Sequence, residues 1–298
     1  MANADNSVSV EVPPRAFSTQ TVLSISQFAT PYPAPAGFTT ASPQWAITAS
    51  GTGPVQPVTI SFQYDPTVLG NLDPSRVGVY LYNPGTGGWR WLAGQAGDNT
   101  VTVNTLSLGV FAVQANTQVF PDLDQAPWAQ TAVDSLLGSG IVSGTGPDQF
   151  APLQNVTRTQ FAVMLARATG LSPAADGRTP FQDVDPTAWY APWVSAAFNT
   201  NLMNGTGAST FSPDTPVTRE EMAVMLARLP GSSSGTADAS QFTDSAVIDS
   251  WALNAVEEVV GSGLMSGFPD GTFHPLGPTN RAQAAVVLYN YRALGGQT

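Results

Sequence analysis

The chain has 298 residues, a net charge of -11 and ten cationic side chains, all of which are arginine. Its length suits two or more domains, and its acidity argues against nucleic acid or an anionic membrane surface as a partner. There is no cysteine and one histidine, which excludes disulfides, thiolate metal sites and multi-histidine metal sites. We therefore predict no catalytic residue, no metal and no cofactor.

The N-terminus has no signal-peptide character, because Met1–Asp5 lacks both a basic region and an apolar core. Ala2-Asn3-Ala4 nevertheless resembles the end of a small-x-small cleavage site. We expect a secreted protein in its mature form, with a start methionine added. No apolar run approaches the roughly 20 residues that a membrane span needs.

Residues 1–116 are predicted to be all β. Apolar residues alternate with polar ones over short runs, such as Leu23 and Ile25, then Val58, Ile60 and Phe62, then Val77, Val79 and Leu81, then Val101 and Val103. A period of two indicates half-buried strands. We predict a β-sandwich of about seven or more strands, with an irregular loop from Pro31 to Pro43.

The run Val79–Leu92 is predicted to form a hairpin with aromatic flanks. Trp89 and Trp91 fall on one face of its second strand, where they could stack on sugar rings or pack within the hairpin; we favour packing. With the closing strand Leu108–Val113, residues 55–115 are similar to ZU5-like sandwich modules of bacterial surface proteins.

The rest of the chain repeats with a period of about 61 residues, in three copies. In the first copy, Phe120 opens the repeat, Trp128 leads a helix, Gly144 marks a turn and Arg158 begins a second helix. The corresponding residues of the other copies are Phe181, Trp189, Gly205 and Arg219, and then Phe242, Trp251, Gly267 and Arg281. The tryptophans could be core residues or ligand platforms, and we favour the core.

The second helix of each copy is predicted from apolar residues at i, i+3, i+4 and i+7. Its start carries a capping-box pair in each copy: Thr157 with Gln160, Thr218 with Glu221, and Asn280 with Gln283. An arginine thus occupies the first helical residue, where the helix dipole disfavours a cation. Two explanations stay open: the arginine and free backbone N–H groups hold an anion, or it forms an intramolecular salt bridge with an aspartate.

These marks, in this order and three times over, resemble the S-layer homology (SLH) family across residues 118–294. The resemblance implies an all-α pseudo-threefold trimer within one chain, with grooves between neighbouring repeats. It implies that the grooves bind secondary cell-wall polymer, in many members a pyruvylated and therefore anionic amino-sugar glycan. The residues that it assigns to the grooves are Arg158, Arg219, Arg281, Asp122, Asp183, Asp244, Gly144, Gly205 and Gly267.

Several positions depart from the family pattern. Gln160 and Gln283 replace the usual glutamate, Asn201 replaces a glycine, and Asn280 replaces a threonine. Glutamine can still close a capping box, so we expect the fold to survive, but one or two grooves to be weak or empty. The aspartates have two open roles: accepting protons from sugar hydroxyls, or bracing a loop.

We therefore predict a β-sandwich domain at 1–116 and repeats at 117–172, 173–235 and 236–298. The expected function is non-catalytic: a cell-surface protein anchored to wall polysaccharide, extracellular, and part of or associated with an S-layer through self-association. The alternative is an anchored monomeric adhesin or carbohydrate-binding module that uses the sandwich. An enzyme is the weakest hypothesis, because the acidic residues form no assignable pair.

Overall fold

A computed structural model describes residues 1–85, 87–92, 95–97, 99–232, 235 and 237–295. The chain divides into two compact units, one of residues 1–119 and 134–140, the other of residues 120–133 and 141–298. None of the described helices combines the length and apolar character required to cross a bilayer.

The described residues of the first unit form ten antiparallel strands in two sheets. The strands are β1 (Val8–Glu11), β2 (Leu23–Gln27), β3 (Phe38–Thr40), β4 (Trp45–Ala49), β5 (Val58–Gln63), β6 (Val77–Asn83), β7 (Gly88–Leu92), β8 (Gln95–Gly97), β9 (Thr100–Thr105) and β10 (Gly109–Asn116). One sheet has the order β1-β5-β9-β8, and the other has the order β2-β4-β10-β6-β7 with β3 also paired to β10. The loop expected from Pro31 to Pro43 is thus wrong in part, because β3 lies within it.

One hydrophobic core lies between the two sheets. Ile60 and Phe62 of β5 face Phe111 and Val113 of β10, and the Phe62 and Phe111 ring centroids are 5.7 Å apart. The alternation seen in the sequence sets this arrangement, because every second residue of each strand points inward. The two-sheet region expected for residues 1–116 is confirmed.

The hairpin of β6 and β7 carries the paired tryptophans on its outer face. Trp89 packs edge-on against Tyr82 at 5.3 Å and donates its Nε1–H to the carbonyl of Pro33 at 2.8 Å. Tyr82 also stacks on Tyr32, with centroids 3.5 Å apart. Trp89 is therefore part of an aromatic cluster, as the packing interpretation expected.

The end of the first helix, α1 (Gln130–Gly138), belongs to the first unit. Asp134 accepts a buried hydrogen bond of 2.9 Å from Nε of Arg76, and the hydroxyl of Tyr80 donates to the carbonyl of Gly138 at 2.9 Å. A Cβ on Gly138 would lie 2.2 Å from the carbonyl oxygen of Ser75. Only glycine therefore allows this close approach of α1 to the 3-10 turn Pro74–Arg76.

The remaining helices are α2 (Arg158–Ala168), α3 (Ala191–Asn199), α4 (Arg219–Ala227), α5 (Leu253–Gly261) and α6 (Arg281–Ala293). All three predicted capping boxes are present, and an arginine is the first helical residue of α2, α4 and α6, as expected. Helix α2 packs on α3, α4 on α5, and α6 on the 3-10 turn Pro127–Ala129. The repeat part contains 3-10 turns and isolated β-bridges as well as helices.

A closed cycle of backbone hydrogen bonds joins the three repeats. Val156 N–H donates to the carbonyl of Thr279, Thr279 N–H to that of Val217, and Val217 N–H to that of Val156, at 2.8, 2.8 and 3.0 Å. These residues directly precede the capped helix starts. The cycle therefore holds the first turns of α2, α4 and α6 close together.

Candidate functional site

Each arginine at a helix start is buried and fixed by the next repeat in the cycle. Arg281 donates from Nε to the carbonyl of Phe150 at 2.8 Å and from Nη2 to that of Ser143 at 2.7 Å, and its guanidinium lies 4.7 Å from the Phe150 ring centroid. The equivalent hydrogen bonds are Arg158 to Phe211 and Asn204, at 2.8 and 3.0 Å, and Arg219 to Phe273 and Ser266, at 2.6 and 2.7 Å. The pattern repeats in all three copies.

The three arginines at the helix starts are almost fully buried. The exposed fractions of Arg158, Arg219 and Arg281 are 3%, 6% and 6%. Desolvation lowers the pKa of Arg219 and of Arg281 to about 10 each, against the opposing charges of Asp244 and Asp122 respectively. Both side chains still carry a full positive charge at neutral pH.

The third nitrogen, Nη1, distinguishes the copies. Nη1 of Arg158 lies 3.4 Å from Oε1 of Glu221, in a salt bridge. Within the described part of the chain, Nη1 of Arg219 and of Arg281 forms no hydrogen bond or salt bridge. Neither atom is a fully buried polar atom without a partner, so each keeps contact with solvent.

The expectation of free N–H groups at these helix starts is wrong. In α2, the N–H of Arg158 donates to Thr215 and that of Thr159 to Pro213, at 3.0 and 3.1 Å. The capping box uses the N–H groups of Thr157 and Gln160. In α4, the N–H groups of the first two residues donate to the carbonyls of Gly277 and Pro275. In α6, the N–H groups of the first two residues donate to the carbonyls of Gln154 and Pro152. All four orphan donors of each helix are thus satisfied internally, because the repeats bridge one another at this point.

The repeat aspartates brace a turn. Asp122 accepts the N–H groups of Phe150 and Ala151 at 3.0 and 2.6 Å. Asp183 does the same for Phe211 and Ser212, and Asp244 for Phe273 and His274. The middle residue of each turn is left-handed, with φ of 57°, 60° and 57° for Ala151, Ser212 and His274. The two hydrogen bonds to each aspartate therefore stabilise a left-handed backbone conformation that costs L-residues about 1–2 kcal/mol.

The aspartates also keep solvent access. Asp183 is exposed, and Asp122 and Asp244 are half-buried. Burial opposes ionisation of Asp183, but hydrogen bonds from Phe211 and Ser212 and the charge of Arg158 outweigh it and lower its pKa. It is therefore a carboxylate at neutral pH, with lone pairs that can still face a ligand.

The three repeat glycines allow a phenylalanine to pack closely. A Cβ on Gly144 would lie 2.5 Å from Cε1 of Phe120, and a Cβ on Gly205 or Gly267 would lie 2.5 Å from Cε1 of Phe181 or Phe242. The arginine partners Ser143, Asn204 and Ser266 directly precede these glycines. The glycine thus helps to position the preceding carbonyl, which accepts a hydrogen bond from Nη2 of the arginine.

These residues fall into three sets, each drawn from two repeats, and each set is called here the groove of its arginine. The Arg158 groove contains Asp183 and Gly205, the Arg219 groove contains Asp244 and Gly267, and the Arg281 groove contains Asp122 and Gly144. The structure thus brings together all nine residues singled out from the sequence, in sets of three. Among the described residues there is no group of three or more potential metal ligands.

The tryptophan prediction is wrong. Trp128, Trp189 and Trp251 are 57%, 66% and 55% exposed. Each lies two residues before the first helix of its repeat, so the apolar face of that helix does not determine where its ring points. Trp189 packs edge-on against Tyr190, whose pKa is raised by burial and by the charges of nearby aspartates, including Asp183. The repeat tryptophans are therefore surface residues and not part of the core.

Sequence reasoning missed Glu221 as a groove residue, because it assigned the side chain only to the cap. The signal was present as a difference between copies: glutamate in the second, glutamine in the others.

Taken together, the repeated helix pairs, the cyclic contacts and the inter-repeat grooves define a protein with three tandem copies of one module. The module is identified by the family model for the S-layer homology domain, which matches residues 119–162, 180–223 and 241–285. The chain carries three tandem S-layer homology domains.

Curated relatives resemble part of the chain. An amylopullulanase of Thermoanaerobacterium thermosulfurigenes is 31% identical over 73% of this chain and 12% of its own length. A surface-layer 125 kDa protein of Lysinibacillus sphaericus is 30% identical over 54% and 14%. A cellulosome-anchoring protein of Acetivibrio thermocellus is 30% identical over 47% and 32%. This chain thus spans a third or less of each relative, and the relatives include enzymes and surface proteins alike.

Proposed function

We propose that this chain is a non-catalytic, extracellular cell-surface protein that its SLH domains anchor to the cell wall, within or beside an S-layer. The proposed ligand is secondary cell-wall polysaccharide, an anionic glycan such as a pyruvylated amino-sugar polymer. The observation that carries the proposal is the fixed guanidinium whose Nη1 reaches solvent in the Arg219 and Arg281 grooves.

A ketal carboxylate suits such a nitrogen. The arginine is pre-organised by two hydrogen bonds and an aromatic ring, so binding immobilises no further side chain. A charge-assisted hydrogen bond in a partly desolvated groove is stronger than one in open water. The neighbouring Asp244 or Asp122 would accept protons from sugar hydroxyls, while Gly267 or Gly144 shapes the groove wall. An acidic protein can thus bind an anionic polymer through local cations.

We further propose that the repeats form a pseudo-threefold trimer, which the cycle of backbone bonds among Val156, Val217 and Thr279 supports. The working domains are a β-sandwich, ZU5-like in part, at 1–116 and repeats at 117–172, 173–235 and 236–298. The sandwich would be displayed or take part in self-association. The contacts of Trp89 with Tyr82 and Pro33 favour this over an adhesin that uses Trp89 as its sugar platform.

Sedimentation of the full chain with purified cell walls tests the anchor. Native walls should deplete the protein from solution, and walls stripped of polymer by hydrofluoric acid should not. Soluble polymer released from the same walls should compete with native walls. Equal depletion by native and stripped walls would overturn the proposal.

A further inference from the structure

Strand β2 is the terminal strand of its sheet, and it pairs only with β4, in an unbroken antiparallel register. The carbonyl of Val22, just before β2, accepts from the Ser50 N–H at 3.0 Å. The N–H of Phe28, just after β2, donates to the carbonyl of Gln44 at 2.7 Å. Hydrogen-bonded and non-bonded residues alternate along an antiparallel pair. The even-numbered residues of β2 therefore bond to β4.

The odd-numbered residues of β2 direct their backbone groups away from β4. The N–H and C=O groups of Leu23, Ile25 and Gln27 have no hydrogen-bond partner among the described residues. The Leu23 and Ile25 side chains are half-buried against the core, and those of Ser24, Ser26 and Gln27 are exposed. A strand added at this edge would complete the backbone hydrogen bonds and cover the two apolar side chains.

The other sheet edges are protected in ways that β2 is not. The N-terminal segment covers β1, because the N–H of Asn3 donates to Val8 and that of Val10 donates to Met1, at 3.0 and 2.7 Å. Strands β3 and β8 are each three residues long, and β7 carries the charge of Arg90. Coverage, short length and charge all discourage pairing with another chain. Strand β2 is five residues long and contains neither charge nor proline.

The part of the sequence around β2 is also free of charge. Residues 16–64, which include β2, β3, β4 and β5, contain no Asp, Glu, Arg, Lys or His, whereas the whole chain has a net charge of -11. Two copies of an acidic chain repel each other where their charges approach. At the β2 edge, neither this strand, its partner β4 nor the segment that connects them contributes a charge to that repulsion.

We propose that β2 is a self-association edge, at which β2 of a second copy of this chain adds antiparallel about a twofold axis through Ile25. The proposal deepens the self-association of the sandwich that is part of the proposed function, and it rests on that function. The register pairs the following residues of the two copies: Ile25 with Ile25, Leu23 with Gln27, and Ser24 with Ser26.

This register uses both features of the open edge. The odd-numbered residues meet as hydrogen-bonded pairs, in which each pair exchanges two backbone bonds. The Leu23 and Ile25 side chains of both copies would lie on the inner face, where they join the two cores. Ser24 and Ser26 would lie opposite each other on the outer face, with Cβ atoms about 4.5–5.5 Å apart. The strand is thus complementary to itself, which a twofold interface requires.

A contact through one short strand is small, so the dimer should be weak in solution. Interfaces that bury less than about 1,200 Å² are typical of transient encounters, and we expect dimerisation at about 0.1–1 mM protein. Anchoring on a wall would raise the local concentration of copies, as a linker does for joined modules. A weak edge contact therefore suits a protein that assembles only where it is anchored.

Two double variants of the exposed serines test the edge and its register. Ser24→Glu with Ser26→Glu places like charges opposite each other across the axis and should weaken dimerisation by about tenfold or more. Ser24→Lys with Ser26→Glu places opposite charges there and leaves the net charge unchanged, so it should dimerise at least as well as the unaltered chain.

The matched control adds two negative charges to the other sheet. Gln63→Glu with Asn104→Asp changes exposed residues of β5 and β9. Because salt screens the added net charge, this variant should dimerise like the unaltered chain at physiological ionic strength.

Sedimentation velocity of the full chain, over a concentration series up to about 1 mM, is the readout. The average mass of the unaltered chain should rise from that of one copy towards that of two, and the Ser24→Glu, Ser26→Glu variant should remain at one copy. The proposal is overturned if the unaltered chain stays monomeric, or if this variant dimerises as the control does. Loss of the dimer in the Ser24→Lys, Ser26→Glu variant would overturn the register.

Wall binding separates this proposal from the anchor. The Ser24→Glu, Ser26→Glu variant should still sediment with native walls and not with stripped walls. An unaltered chain that dimerises but does not distinguish the two kinds of wall would count against the anchor alone.

Discussion

The Arg158 groove and the Arg219 and Arg281 grooves share one frame and differ at one side chain. In all three, backbone carbonyls and a phenylalanine ring hold the guanidinium of the preceding repeat. Only in the first does a glutamate, Glu221, also pair with Nη1. Each arginine therefore has two roles. Its Nε and Nη2 join neighbouring repeats, and the charge on Nη1, where no glutamate pairs with it, is available to a ligand.

Replacement of the arginines should have the largest effect. Arg158→Ala and Arg281→Ala should each lower the free energy of unfolding by about 2–4 kcal/mol, because each removes a buried charged donor from two backbone carbonyls. Below the unfolding transition, wall binding should fall in Arg281→Ala, because Nη1 of Arg281 has no protein partner among the described residues. Thermal unfolding of both variants and sedimentation of Arg281→Ala measure the two effects. Unchanged binding by folded Arg281→Ala would contradict the proposed role of this arginine.

The groove glycines provide a second contrast. Gly205→Ala and Gly267→Ala should each cost about 1–3 kcal/mol of stability, because the new Cβ would lie 2.5 Å from Cε1 of Phe181 or Phe242. Denaturant unfolding gives that cost. Binding to native walls should decrease for Gly267→Ala, because Gly267 follows Ser266, whose carbonyl accepts from Nη2 of Arg219. Unchanged binding by Gly267→Ala would contradict the placement of the ligand beside Arg219.

The exposed tryptophans should affect binding without affecting the fold. Trp251 donates its Nε1–H to Asp249 at 3.0 Å, and the Asp249 N–H donates to Glu220, the residue after Arg219. Trp251→Ala should weaken wall binding about threefold to tenfold, as expected for a lost ring-stacking contact, and change stability by less than about 0.5 kcal/mol.

Unchanged wall binding by Trp251→Ala would contradict a contact between this indole and the polymer.

Glu220 should give the smallest effect. It is 2% exposed, and burial, with the charges of Asp249 and Glu221, raises its pKa above the usual value. A raised folded-state pKa means that the neutral form is favoured, so this contribution is complete at low pH and is lost as pH rises through the folded pKa. Glu220→Gln should therefore raise the melting temperature by about 1–2 °C at pH 7 and leave it unchanged near pH 4. An equal shift at both values would refute the charge explanation.

Local signals in the sequence predicted the local structure. Thr157, Thr218 and Asn280 mark three helix starts that the structure places at the following arginine, because a cap depends on residues within one turn. Asn201 replaces glycine after α3 and adopts the same left-handed conformation, with φ of 61°, which asparagine tolerates.

Features that depend on another repeat could not be predicted in this way. The carbonyls that take up the helix N–H groups come from the neighbouring copy, so those groups seemed free in the sequence. The close approach of Phe181 to Gly205, and the reach of Glu221 to Arg158, also cross between distant segments. The Glu-to-Gln difference was visible, but its meaning required the identity of the facing arginine.

The most direct measurement is a crystal structure of the full chain with polymer released from native walls. The account predicts a ligand carboxylate within hydrogen-bonding distance of Nη1 of Arg219 or of Arg281. A ligand that contacts none of the three arginines would contradict it.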